Sequence, residues 1–254
     1  MAAALLLALG IGVGAGAAGD LAEIPGGRFR SVLPIVPGVD EVTVAPFALA
    51  RAPVTNAEFA AFVAGHPEWR RDRVPRLFAD GEYLSHWPSP AGPGPGAVHR
   101  PVTRVSWFAA AAYCEARGLR LPTWYEWELA AAAGETTADA RQDPAWRQRI
   151  LDWYARPGTE APAVVGASAA NVYGVHDLHG VVWEWVEDFA GLMVAGDNRE
   201  QGDPDRTRYC GAGALTLEQK ENYAVLMRIA MLSSLEGAWT TANLGFRCAR
   251  SSPG

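Results

Sequence analysis

The sequence contains three cysteines, Cys114, Cys210 and Cys248, and a His-x-x-His spacing at His176 and His179 with Asp177 between them. Neutral imidazoles at that spacing could bind Zn, Cu or Fe. No third ligand is identifiable beside them, and a pair of turn histidines is the plainer reading. Cys210 precedes a Gly211-Ala212-Gly213 turn. A thiol there could ligate a metal, react as a nucleophile, join a mixed disulfide or lie buried and inert. Asp203, Asp205, Glu218, Glu221 and Glu236 could line an acidic groove, or could form a solvated acidic face.

These groups belong to a chain of 254 residues, 49% hydrophobic, with ten tryptophans and 27 glycines. That composition excludes a disordered tail and suits a loop-rich domain with aromatic anchors rather than a helical bundle. The net charge of −6 is the opposite of what a nucleic-acid-coating protein carries. Lys220 is the one lysine among 22 basic residues, a bias we read as codon composition. Residues 1–18 form an uncharged run of small apolar residues with Ala15-Gly16-Ala17 before Ala18. This resembles the hydrophobic and cleavage regions of a secretory signal, although a basic leader is missing. The run is short and glycine-rich for a membrane span. The expectation is a periplasmic or secreted product with no stable membrane insertion after processing, and a single domain over residues 19–254.

The elements that position these residues are written locally. Thr55-Asn56-Ala57-Glu58 and Thr123-Trp124-Tyr125-Glu126 are capping boxes that start helices. Ser106 N-caps a helix that Gly118 closes, and the second capping-box helix ends at Gly134. Residues 66–100 are irregular, with Arg70, Arg71, Arg73 and Arg76 read as a solvated surface. A helical turn is expected near Trp146 to Trp153. Short strands are expected at Val181–Val186, Ala224–Ala230 and Gly245–Ala249. The fold class is α+β, poor in regular structure.

Several segments together resemble the formylglycine-generating-enzyme, or sulfatase-modifying-factor, family. They are Ile24-Pro25-Gly26-Gly27, Pro53-Val54-Thr55-Asn56, Val105-Ser106-Trp107, Ala112-Tyr113-Cys114 and Leu119-Arg120-Leu121-Pro122-Thr123. Asn171-Val172-Tyr173-Gly174, Trp183-Glu184-Trp185 and Asn243-Leu244-Gly245-Phe246-Arg247-Cys248 follow in family order. The resemblance implies a twisted α+β domain related to C-type lectins, and a disulfide between Cys114 and Cys248. It also implies a structural calcium at Glu184 with the carbonyls of Gly180 and Val182, weakened because Val181 replaces the usual asparagine. Members that convert a sulfatase cysteine to formylglycine carry a Cys-x4-Cys pair that binds Cu(I). Here Thr216 and Glu221 fall near those two positions, so the copper site is not expected. The candidates for chemistry are then Cys210, Glu221, His176 and His179.

The implied function is an oxidative maturation step on a peptide or protein client by some other route, as in the branch that resembles pyoverdine-maturation oxidases. The alternatives are a non-catalytic lectin-like binding module, or a periplasmic accessory protein for metalloenzyme assembly.

Overall fold

The computed structural model describes residues 20–33, 41–155, 161–192 and 223–252. Strand β1 (Leu21–Ile24), β4 (Phe47–Ala50) and β7 (Ala249–Ser251) form an antiparallel sheet in the order β1-β4-β7. β2 (Gly27–Arg30) and β3 (Glu41–Val44) form an antiparallel ribbon, and β5 (Trp183–Glu184) pairs in parallel with β6 (Leu244–Gly245). The turn from β1 to β2 needs glycine at position 26. Its φ is +67°, and a Cβ there would sit 2.3 Å from the Val44 carbonyl oxygen.

Both capping boxes form as written. Thr55 caps α1 (Asn56–Gly65) and Thr123 caps α3 (Trp124–Ala132), each reciprocated by the glutamate three residues on. Ser106 caps α2 (Trp107–Glu115), and Gly118 follows it at φ +68°. Asp143 caps α4 (Pro144–Tyr154), with proline at its first position. The local signals around Trp146 thus build a full helix rather than a turn. Ala140, Trp146 and Ile150 form a small cluster of their own, separate from the main core.

The expected strand at Ala224–Ala230 is instead part of helix α5 (Tyr223–Ser233). The reason is periodicity. Arg228, Ile229 and Leu232 are buried and Val225 packs against the same core, which is the i, i+3, i+4, i+7 stripe of a helix. The other two expected strands shrink to β5 and to the ends of the 244–251 segment.

The main core joins α1, α2 and α3 to the sheet through Phe47, Phe59, Tyr113, Trp127, Trp185 and Phe246. Cys114 on α2 and Cys248, just before β7, are disulfide-bonded across a separation of 134 residues. The bond fastens that helix to the strand segment that follows Phe246.

Candidate functional site

The residues that identify the motif converge in the interior. Glu184 on β5 and Arg247 after β6 are both fully buried and form an ion pair at 2.8 Å. Arg247 Nε also donates to both carboxylate oxygens, and Trp127 Nε1 donates to Oε2 at 2.8 Å. The rest of the guanidinium donates to the carbonyls of Ala50 and His176. Arg247 therefore bonds β4, β5 and the histidine turn at once.

This arrangement fits the expected calcium poorly. Both oxygens of Glu184 are occupied by Trp127 and Arg247, and a guanidinium stands where a hard cation would need more oxygen ligands. The residues present do not fit a calcium held through Glu184, Gly180 and Val182.

His176 and His179 do not converge either. His176 Nδ1 bonds the Ser168 carbonyl at 2.8 Å, whereas His179 Nε2 bonds the Ala131 carbonyl at 2.9 Å. A carbonyl only accepts, so the proton of neutral His179 is on Nε2. The His179 ring stands edge-on between Trp127 and Trp146, and burial pushes its pKa down to about 4. Its Nδ1 is buried with no partner among the described residues. Asp177 between the two histidines adopts φ +62° and accepts from the backbone N–H groups of Gly166 and Ser168. It is a turn-former and not a metal ligand. No group of three or more His, Cys, Asp or Glu side chains able to hold a metal occurs among the described residues.

A cavity of about 300 Å³ lies between the end of α3, α4 and the 168–179 segment. Its apolar wall includes Trp146, Ile150, Val175 and Leu178. Two of its polar liners are committed to backbone: Asn171 bonds Ala130, Tyr173 and Val175, and Asp177 bonds the turn. Cys210, Thr216 and Glu221 lie outside the described residues, as do Asp203, Asp205 and Glu218. Glu236 is described and exposed.

Two buried charged groups escaped the sequence reading. Arg228 is 2% exposed, stacks over Trp127 at 3.5 Å and donates to the Glu184 carbonyl. Burial holds its pKa down, to about 10. One arginine inside an otherwise apolar run, Ala224 to Leu232, was the available signal. Glu128 is also 2% exposed, and burial raises its pKa. Its carboxylate accepts from Ser31 Oγ, the Val32 N–H and Trp124 Nε1, which binds the end of β2 to α3. What the described residues assemble is a cross-braced scaffold.

Comparison with known proteins agrees with that scaffold. The sulfatase-modifying factor enzyme 1-like domain matches residues 16–252. The chain belongs to this family. It is 30% identical to the inactive C-alpha-formylglycine-generating enzyme 2 of Bos taurus, over 91% of this chain and 87% of that protein. It is 29% identical to the formylglycine-generating enzyme of Thermomonospora curvata, over 91% and 93% respectively. Among solved structures, PvdO from Pseudomonas aeruginosa superposes with a TM-score of 0.52 at 19% identity, covering 92% of this chain and 95% of that one. The fold is thus mixed α and β with few regular elements, and in this chain Phe47, Ala48 and Leu49 of β4, Glu184 of β5 and Arg247 are buried. Among the described residues, no helix is long and apolar enough to cross a membrane.

Proposed function

We propose that this chain is an exported maturation factor that acts oxidatively on a peptide or protein client, by a route other than a copper bis-thiolate. Membership of a family whose relatives include named formylglycine-generating enzymes supports the oxidative role and the protein client. The signal-like residues 1–18 support export. The observation that carries the reading of the route is the disulfide. It takes up Cys114 and Cys248, so the sequence retains one thiol, Cys210. Cu(I) at low coordination needs soft ligands. One thiol with a hydroxyl and a carboxylate at Thr216 and Glu221 does not fit that ion, and we assign copper no step.

The test incubates the protein with a Cys-x-Pro-x-Arg peptide, copper, reductant and oxygen, and reads the peptide by mass spectrometry. We expect no thiol-to-aldehyde product above a copper-only blank; such a product would refute the reading. Oxygen uptake that depends on an added client peptide supports oxidation. Stoichiometric peptide binding without oxygen uptake would instead establish a binding module, the reading favoured by the inactive bovine relative.

A further inference from the structure

Three large apolar side chains stand exposed on two loops that the structure joins into one surface. Leu77 is 76% exposed, Phe78 37% and Trp239 45%. The Asp80 N–H donates to the Ala238 carbonyl at 2.9 Å, and the Asp80 carboxylate accepts from both the N–H and the hydroxyl of Thr240. Beneath them, Phe78 packs edge-on against Phe108 at 5.4 Å, and Phe108 lies directly against Gly237. Single exposed apolar residues are ordinary, but a grouped set on a braced surface marks an interaction site.

The charges around this surface are unevenly balanced. Asp72 is neutralised by Arg70 at 2.8 Å and Glu82 by Arg104 at 2.6 Å, while Asp80 is spent on Thr240. Arg73 and Arg76 are exposed, with no carboxylate within ion-pair distance among the described residues. The Arg76 guanidinium rests over Gly81, 3.0 Å from where a Cβ would stand. Glu236 stands beside Trp239 at the other end. A chain of net charge −6 thus presents two exposed guanidiniums, outside ion-pair distance of any described carboxylate, on the segment that carries its exposed leucine and phenylalanine.

We infer that Leu77, Phe78 and Trp239, with Arg73 and Arg76, form a docking surface for an acidic, apolar segment of a protein client. The apolar side chains of that segment cover Leu77 and Trp239, and its carboxylates pair with the two arginines. Arginine beside aromatic residues is the composition that anchors protein interfaces. This inference rests on the proposal of a protein client but not on any turnover.

The test measures fluorescence anisotropy of short labelled peptides with a leucine–phenylalanine centre, flanked either by aspartates or by lysines. The aspartate peptide should bind, more weakly as salt rises, and the lysine peptide should not. Leu77→Asp should lower affinity at least about tenfold. The double variant Arg73→Glu/Arg76→Glu should reverse the preference and bind the lysine peptide. All of these positions are exposed, and an unchanged melting temperature verifies that each variant folds. Equal binding of the two peptides, binding of neither, or an unaltered preference in the charge-reversed variant would overturn the inference. A concentration-dependent dimer abolished by Leu77→Asp would also overturn it, in favour of a second copy of this chain. Binding is read without oxygen or reductant. Failure here therefore leaves the oxidative proposal standing, and failure of turnover leaves this surface standing.

Discussion

Arg228 and Arg247 are buried in the same core, 2% and 0% exposed, yet the structure predicts unlike outcomes when each is replaced by methionine. Arg247→Met strands the Glu184 carboxylate and leaves the carbonyls of Ala50 and His176 short of a donor. Breaking one side of a buried ion pair costs about 3–5 kcal/mol. Arg228 has no carboxylate of its own among the described residues, and its Nε–H has no partner. Burial lowers its pKa from 12.5 to about 10 even with Glu184 nearby. At about 1.4 kcal/mol per tenfold, that is roughly 3 kcal/mol against the charged form. The cation–π contact with Trp127 returns about 2 kcal/mol and the hydrogen bond to Glu184 about 1. Those terms nearly cancel, and methionine adds its own packing against the indole. Arg228→Met should therefore lie within about 1 kcal/mol of the parent, and Arg247→Met about 3–5 kcal/mol below it. Urea unfolding of the oxidised proteins, followed by tryptophan fluorescence, measures both. If Arg228→Met costs as much as Arg247→Met, the charge accounting is wrong and Arg228 has an anionic partner.

Two further expectations concern stability. His179 has a folded pKa of about 4 against 6.5 for a free imidazole. Between those values the unfolded chain binds a proton that the folded chain does not, so its contribution is present above pH 6.5 and declines as pH falls toward 4. Roughly 3 kcal/mol should go, and His179→Gln should show a correspondingly shallower loss between pH 7 and pH 4; parallel pH profiles would contradict this. Replacing Cys114 and Cys248 together with alanine opens a loop of 134 residues, which the chain-entropy model sets at about 5 kcal/mol. Thermal unfolding should show a large drop in midpoint, and a drop of only a degree or two would mean that packing of α2 alone positions the strand.

The parts of the fold that were legible in the sequence are those specified within a few residues. The capping boxes at Thr55 and Thr123, the Ser106 cap and the Gly118 stop each name their own partners, because the atoms they satisfy lie three or four positions away. Helix α5 was misjudged because its apolar run suits a strand or a helix equally well by composition. Only the core, by burying Val225, Arg228, Ile229 and Leu232, selects the helical period. The bonding of Glu184 is illegible for a related reason. The resemblance implies a carboxylate open to calcium, whereas the arginine that bonds it arrives from 63 residues further along the chain. Pairings over that distance leave no local trace.

The same distinction bears on what family membership means for chemistry. Glu184, Arg247 and Asn171 are among the residues that make the resemblance recognisable, and Trp127 bonds the first of them. Each is used up in holding elements together: Glu184 by Arg247 and Trp127, Asn171 by three backbone groups. A side chain whose donors and acceptors are all bonded inside the core has none left for a substrate. The features that mark the family are therefore those that specify its scaffold, and fold alone does not fix an activity. Function has to be carried by positions that the bracing leaves unspent. Among the described residues these include the exposed Arg73, Arg76, Leu77 and Trp239, with no part in that internal network. Substitution at these positions should change what the protein binds or does while leaving its unfolding midpoint where it was, whereas substitution at Glu184 or Arg247 should do the reverse.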